Sequence, residues 1–356
     1  MVAITSIEIE GFRSFQRLRC DDLAQVNLVV GANNSGKTAL LEAIEAVASR
    51  DSPFVLYRAS VDRNEFSRRV DDKESRREGA QIELDVRHWF HGHRLDDGVA
   101  FRLRTTGRLG LELIKAVRRV GHSDPRPPFA GGRLLLGESR PGVPVAELPL
   151  TPDGLLGAGA PSTFLTFGQR LSPPVGFVTT DRLTPRALAR LWTNVVLTPG
   201  EDRTLEALRL IDPSIDRLAI SESDSTIARV LQRGAQGPVP LGTLGEGVSR
   251  ALALALQLAL CKGGVLLIDE IENGLHWSVM PRIWRFLVET ARTLDVQVFA
   301  STHSKDWLEG LADLHRTDPT LTADVAVHRL EAGRETPVRF DAARIADYVA
   351  MELEAR

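Results

Sequence analysis

Hydrophobic and polar residues alternate in Ile4-Thr-Ser-Ile-Glu-Ile-Glu10, as in a strand with one face in water. Gln81–Arg87 repeats that pattern, and Val99–Arg104 is its expected neighbour, so a small antiparallel sheet is predicted. Three other runs, Val26–Val30, Gly263–Ile268 and Val296–Ala300, are largely apolar and read as buried strands of an α/β core. Ala39–Ala48 is rich in strong helix formers. Ala251–Cys261 is apolar all round and reads as a core helix. Further helices are expected near Thr184–Trp192, Arg203–Leu210 and Asp341–Glu354, with a short one at Gly110–Val120. Asp324–Leu330 and Thr336–Phe340 flank the turn Glu331–Glu335 as a hairpin. The charged stretch Asn64–Arg77 reads as a solvated excursion. Residues 121–176, dense in proline and glycine, read as loops and short strands. The pattern predicts an α/β fold: a mixed central sheet, a flanking antiparallel β-sheet and a helical or irregular insertion.

Composition narrows the classes. The chain has 356 residues, 43% hydrophobic, which is ample for a core. A formal charge of −3 argues against a wholly basic nucleic-acid module. The longest apolar run is shorter than the roughly 18 residues of a membrane span, so no membrane partner is expected. Two distant cysteines, Cys20 and Cys261, and an opening that enters a strand directly suggest a cytoplasmic setting. Long coiled-coil arms are not predicted, because no charged heptad-periodic stretch occurs.

The chemistry begins at Gly31-Ala-Asn-Asn-Ser-Gly-Lys37-Thr38, which fits G-x-x-x-x-G-K-[ST] between a strand and a helix. Its glycines let backbone N–H groups close on phosphate oxygens at a helix N-terminus. Lys37 can reach the outer phosphates, and the Thr38 hydroxyl can hold Mg²⁺. A second apolar strand ends in Asp269 and Glu270, placing carboxylates where a sheet opens onto its ligand edge. Asp269 is expected to bind Mg²⁺, directly or through water, and Glu270 to orient and activate a water. A third strand ends at Ser301-Thr-His303-Ser, where His303 would hydrogen-bond a γ-phosphate or polarise the attacking water. The turn Gly245-Glu246-Gly247-Val-Ser249-Arg250 feeds the apolar helix as another anion-binding arrangement. One site does not need two, which suggests that this turn serves the nucleotide of a second copy.

Taken together, these segments resemble the ABC-type ATPase superfamily in its SMC-like branch. Gly31–Thr38 resembles the Walker A loop, which implies nucleotide contacts for Asn33, Asn34, Ser35, Gly36, Lys37, Thr38 and Ala39. Leu244–Arg250 resembles the signature motif, with Gly-Glu-Gly where Ser-Gly-Gly is commoner, which implies contacts for Gly245, Glu246, Gly247 and Ser249. Leu266–Glu270 resembles Walker B with its catalytic glutamate, Asn273–His276 the D-loop, and His303 the switch histidine. Gly11-Phe-Arg13-Ser-Phe15 resembles the opening of DNA-repair and OLD ATPases, whose arginine lies near the nucleotide; that role passes to Arg13. Asp181–Trp192, Glu206–Asp216 and Ile271–His276 are similar to the small bacterial AAA15 ATPases. The resemblance implies a P-loop NTPase of ABC/SMC-head type using ATP and Mg²⁺. It also implies an ATP-dependent homodimer and a nuclease or Toprim-like effector protein in an anti-phage or DNA-maintenance module. The expected parts are an N-terminal half of the head (1–120), a compact insertion and helical lobe (121–240) and a C-terminal half (241–356).

Other features carry less. His88, His91 and His93 lack a completing metal-ligand set and read as exposed or packed on Trp89. Arg13, Arg17 and Arg19, with looser groups at Arg68–Arg77 and Arg118–Arg133, give a basis for weak, sequence-independent duplex DNA binding. No nuclease cluster stands out, since the Asp-Asp pairs at 21–22, 71–72 and 96–97 are not at strand ends. An energy-coupling transporter subunit would share the motifs, with Gln169 as its coupling residue, but the Gly11–Phe15 opening favours the DNA-linked branch. A nucleotide-binding protein without turnover would leave Asp269, Glu270 and His303 without a joint explanation.

Overall fold

The computed structural model describes residues 2–49, 54–69, 81–108, 113–120, 133–138, 146–151, 155–156, 173–181, 183–221 and 227–350. Its centre is a six-stranded sheet. β3 (Val26–Val30), β10 (Val175–Val178), β14 (Val265–Ile268), β15 (Gln297–Thr302), β16 (Val325–Arg329) and β17 (Val338–Asp341) lie in the order β10-β14-β15-β3-β16-β17. All neighbours are parallel except β16 and β17, which form the expected hairpin. β3, β14 and β15 are buried along their whole length, as their near-continuous apolar runs require.

A second six-stranded sheet is antiparallel. It contains β1 (Ser6–Phe12), β2 (Phe15–Cys20), β6 (Ala100–Thr106), β7 (Leu113–Val120), β8 (Arg133–Glu138) and β9 (Ala146–Pro149), in the order β2-β1-β6-β7-β8-β9. α1 (Lys37–Ala48) runs between the two sheets, and every residue in it except Thr38 is buried. Ile7, Ile9, Phe12 and Phe101 pack on it from one side, and Val29, Leu267 and Phe299 from the other. The opposite face of the central sheet is covered by α6 (Met280–Leu294), α7 (Lys305–Thr317) and α8 (Ala342–Ala350). Trp284 and Trp307 meet there, edge to face, with ring centroids 5.2 Å apart.

A helical lobe has a third core. α3 (Pro185–Thr193), α4 (Pro199–Ile211) and α5 (Glu246–Leu260) pack with β11 (Ile215–Ser221) and β12 (Ile227–Gln232). β13 (Val239–Pro240) completes that small sheet. Proline at the first turns of α3 and α4, after capping Thr184 and Thr198, sets where both helices begin.

Several expectations are corrected. Residues 113–120 form β7, not a helix, because backbone pairing to β6 and β8 overrides local propensity. Gln81–Arg87 is not a neighbour of Val99–Arg104. Its strand, β5 (Gln81–Leu84), pairs with β4 (Phe66–Arg69) in a separate two-stranded sheet, and the chain then turns through a 3₁₀ segment at Val86–Trp89. Part of the supposed solvated excursion is therefore β4. β8 and β9 extend the antiparallel sheet and β10 joins the central one, so the segment 121–240 is shared among three sheets. Residues 121–132, 139–145 and 157–172, with Arg126 and Gln169, lie outside the described residues, as do Arg76 and Arg77. So do the side chains of Arg68, Arg69, Arg118, Arg119 and Arg133. Among the described residues no helix is long and apolar enough to cross a membrane.

Candidate functional site

The phosphate loop leaves the end of β3 and closes into the first turn of α1. Asn34 and Gly36 take left-handed conformations, φ 63° and 97°. A Cβ on Gly36 would stand 2.5 Å from the Phe15 ring and 2.8 Å from Ser14 Oγ, so the turn between β1 and β2 packs directly on the loop. The Ser35 amide donates to Ala32 O at 3.2 Å, while the buried Ser35 hydroxyl has no partner. Lys37 bends back over the loop, its Nζ donating to Gly31 O at 2.8 Å and Ala32 O at 3.0 Å. Burial pushes its pKa below the usual lysine range, while Asp269, Glu272 and Glu270 act to raise it. An ammonium gathered among loop carbonyls is poised for oxyanions.

Asp269 follows β14 directly. Its amide donates to Val178 O at 2.8 Å, and its carboxylate accepts from Thr38 Oγ1 at 2.9 Å and from the Ser301 hydroxyl. Thr38 and Asp269 thus place hard oxygen atoms side by side, a donor set suited to Mg²⁺ together with phosphate oxygens. Among the described residues no cluster of three acidic, histidine or cysteine side chains forms a self-contained metal site. Ser301 Oγ also accepts from the Glu270 amide at 2.9 Å. Glu270 has φ 45°, which turns it sharply out of the strand direction, and Asn273 Nδ2 donates to its carboxylate at 3.2 Å.

His303 lies between the end of β15 and Ser304, whose hydroxyl caps α7 by accepting from Asp306 N at 3.2 Å. Its Nδ1 is 4.0 Å from Glu270 Oε1 and 2.9 Å from Glu272 Oε1, and its amide donates to that same Glu272 oxygen at 2.9 Å. An acceptor-only carboxylate at Nδ1 calls for the tautomer protonated there, which leaves Nε2 for a ligand. The structure therefore brings Lys37, Thr38, Asp269, Glu270 and His303 to one edge of the central sheet. Asn33, Asn34, Ser35, Gly36 and Ala39 line the loop and the helix start beside them.

Gly245, Glu246, Gly247 and Ser249 form the start of α5. A Cβ on Gly247 would lie 2.9 Å from Gly274 O, so this turn rests on the Asn273–His276 turn of the same chain. Arg250, next along α5, reaches back to the carbonyls of Asp269 and Glu270 at 2.8 and 2.9 Å. Glu272 and Arg250 lay inside segments whose sequence stands out, yet nothing in the sequence signals their cross-strand contacts.

Arg13, expected near the nucleotide, lies in the turn between β1 and β2. Its guanidinium is buried, with Nε 2.6 Å from Glu42 Oε2 and Nη1 2.7 Å from Glu65 Oε1. Two carboxylates claim its charge, so it braces the β1–β2 turn behind the loop instead of presenting an open cation. Arg17 and Arg19 are exposed, and each pairs with a carboxylate, Glu8 at 3.3 Å and Asp21 at 2.8 Å. His88 and His93 face one another, Nδ1 to Nδ1 at 3.1 Å, and His91 Nδ1 is 3.1 Å from Arg13 O. Cys20 and Cys261 are buried, and burial pushes both thiols up to about 12, the inert condition of core cysteines.

The chain resembles known proteins in sequence and in fold. The family described as "AAA ATPase domain" matches residues 3–106, and the family described as "AAA domain, putative AbiEii toxin, Type IV TA system" matches residues 198–306. An "ATP/GTP phosphatase" of Helicobacter pylori is 22% identical over 339 residues, covering 88% of this chain and 88% of that protein. An uncharacterised protein of Methanocaldococcus jannaschii is 36% identical over 70 residues, 20% of this chain and 61% of its own. Among solved structures, an SMC head bound to the C-terminal winged-helix domain of ScpA superimposes with a TM-score of 0.52 at 14% identity, covering 99% of this chain and 100% of that one. An SMC head with an extended coiled coil, bound to the C-terminal domain of ScpA derived from Pyrococcus furiosus, gives 0.51 at 13% identity, covering 99% and 100%.

Proposed function

We propose that this chain, which has the SMC-head fold of the ABC ATPase superfamily and is related to AAA15-type ATPases, is a Mg²⁺-dependent ATPase that closes into a head-to-tail homodimer on ATP and switches a separate effector protein. The carrying observation is the convergence of Lys37, Thr38, Asp269, Glu270 and His303 at one sheet edge. Lys37 would exchange its two loop carbonyls for β- and γ-phosphate oxygens. Thr38 and Asp269 would hold Mg²⁺, which neutralises charge gathering on those oxygens. Glu270 would orient and activate the attacking water, and Nε2 of His303 would accept a hydrogen bond from that water and polarise it. The similarity to an "ATP/GTP phosphatase" along most of the chain supports turnover over passive binding.

The homodimer is inferred from the turn Gly245–Ser249, an anion-binding arrangement additional to the phosphate loop. Similarity to a family described as a putative AbiEii toxin of a Type IV TA system supports a place in a defence or DNA-maintenance module. The SMC heads similar in fold are bound to ScpA, which supports a partner protein here too. A nuclease or Toprim-like protein is the effector favoured. Weak, sequence-independent duplex DNA binding belongs to the same reading, with Arg17 and Arg19 as its exposed cations and Arg13 enclosed by carboxylates.

The test is Glu270→Gln. It is expected to bind ATP as the wild type does, to lose at least about a hundredfold in turnover, and to run as a dimer only with ATP and Mg²⁺. A monomer under both conditions at saturating nucleotide would refute the dimer. Undiminished hydrolysis would refute the role of Glu270.

A further inference from the structure

The signature turn and the acidic strand are joined through one side chain. Arg250 lies in the second turn of α5 and is only 7% exposed. Its Nη1 donates to Thr179 O at 2.6 Å, just past β10. Its Nη2 donates to Asp269 O at 2.8 Å and Glu270 O at 2.9 Å, just past β14. Its backbone belongs to the helical lobe, and its guanidinium therefore bridges two strands of the central sheet. A planar fork with donors at fixed angles suits three carbonyls in this way, whereas an ammonium does not.

The grip falls on the residue whose geometry matters most. Glu270 is held at φ 45°, a left-handed conformation that a non-glycine residue keeps only when its surroundings enforce it. Ser301 Oγ holds its amide and Arg250 its carbonyl, so both peptide groups flanking its Cα are fixed. The direction of the Glu270 carboxylate thus depends on where α5 stands. A cavity of about 310 Å³, lined in part by Thr179, Asp181, Glu246, Ser249, Arg250 and Asn273, lies between the lobe and the strand ends. That cavity borders the face of α5 that carries Glu246, Ser249 and Arg250, while Val248, Ala251 and Leu252 on its other side are packed in the lobe's core.

We propose that Arg250 is a positioning residue which transmits the seating of phosphate on the signature turn to Glu270 of the same subunit, so that hydrolysis at one nucleotide depends on occupancy of the other. The transmission rests on the head-to-tail dimer proposed above, in which each signature turn serves the other subunit's ATP. Coupling of this kind must appear as cooperativity between the two sites.

Arg250→Lys keeps the charge and loses the fork. Wild-type ATPase is expected to show a Hill coefficient near 2, for two coupled sites, and the variant a coefficient near 1. The variant's kcat should fall about tenfold or more while its ATP affinity stays within about twofold. Glu270→Gln combined with Arg250→Lys should still dimerise on ATP. A dimeric Arg250→Lys protein with wild-type cooperativity and kcat would overturn the proposal. Loss of the dimer in Glu270→Gln alone would instead remove its premise, and sizing tells the two failures apart. Should Arg250→Lys melt before assay, hydrogen exchange on the wild type decides. With a non-hydrolysable ATP analogue, exchange across 268–274 should slow when the dimer forms but not when the analogue binds dilute monomer. Equal slowing in both would overturn the coupling.

Discussion

Glu272 holds His303 at two points, the backbone amide and Nδ1, both 2.9 Å from one carboxylate oxygen. The Glu272 side chain is 10% exposed and that of His303 50%, so a largely buried carboxylate holds a ring that faces solvent. Glu272→Ala should release the ring, lowering turnover by about 10–100-fold with nucleotide affinity changed by less than about threefold. Adding Glu272→Ala to His303→Ala should then cost nothing more. A fully additive loss would show that Glu272 acts instead on Lys37 or Arg250. Two other residues set opposite pH dependences. His328 is buried beside Asn27, and burial pulls its pKa down to about 4. Between about 6.5 and 4 the unfolded chain takes up this proton and the native state does not, so stability is lost as pH falls. Glu45 is pushed up to about 7 by burial, despite Arg58. Between about 4.5 and 7 the unfolded chain ionises it and the native state does not, so stability is lost as pH rises. The two effects oppose one another from about 4.5 to 6.5. Relative to wild type, Glu45→Gln should gain stability as pH rises through that window, and His328→Gln should gain it as pH falls. Denaturant titrations at a series of pH values would show these tilts; parallel curves would contradict both assignments.

At the scale of elements, α1 is the helix most dependent on tertiary packing. Leu41 is wholly buried in it between two sheets. Leu41→Ala should cost about 2–5 kcal/mol in a denaturant unfolding measurement, because neither sheet can collapse into the space independently. A cost below about 1 kcal/mol would mean that the sheets do move together there. The strand-loop-helix unit around Lys37 was legible because its chemistry is local: apolar strand, glycine turn and helix formers follow one another in the chain. The same holds for β14 with Asp269 and for the hairpin of β16 and β17. β7 was not legible, since Leu113–Val120 is a strand by virtue of neighbours on both sides. Arg250 and Glu272 were visible as residues inside conspicuous segments but not as contacts. What they grip lies about 20–70 residues away for Arg250 and about 30 for Glu272, and a one-dimensional pattern does not carry that information. The surroundings of Arg13 were hidden for the same reason: the Gly11–Phe15 segment indicates an arginine at this turn but not the two carboxylates that enclose it.

For the whole molecule, Trp277 would report on the proposed closure. It is 64% exposed beside the Asn273–His276 turn, on which the signature turn rests. The other tryptophans, Trp89, Trp192, Trp284 and Trp307, are buried already. ATP with Mg²⁺ should therefore shift the emission of Glu270→Gln to the blue as the dimer forms, and Trp277→Phe should abolish the shift. A dimer that forms without any shift would place Trp277 outside the interface. The strand order of the central sheet has a different consequence, one for biosynthesis. β3, which launches the phosphate loop, is flanked by β15 and β16, both from late in the chain. Val30 leaves the ribosome about 270 residues before β15 does, an interval on the order of 10–50 s at ordinary elongation rates. Throughout that time the most apolar strand of the N-terminal half has neither of its lasting neighbours. Nascent chains should thus depend on chaperones, and no incomplete chain lacking β15 can build the pocket edge that would consume ATP.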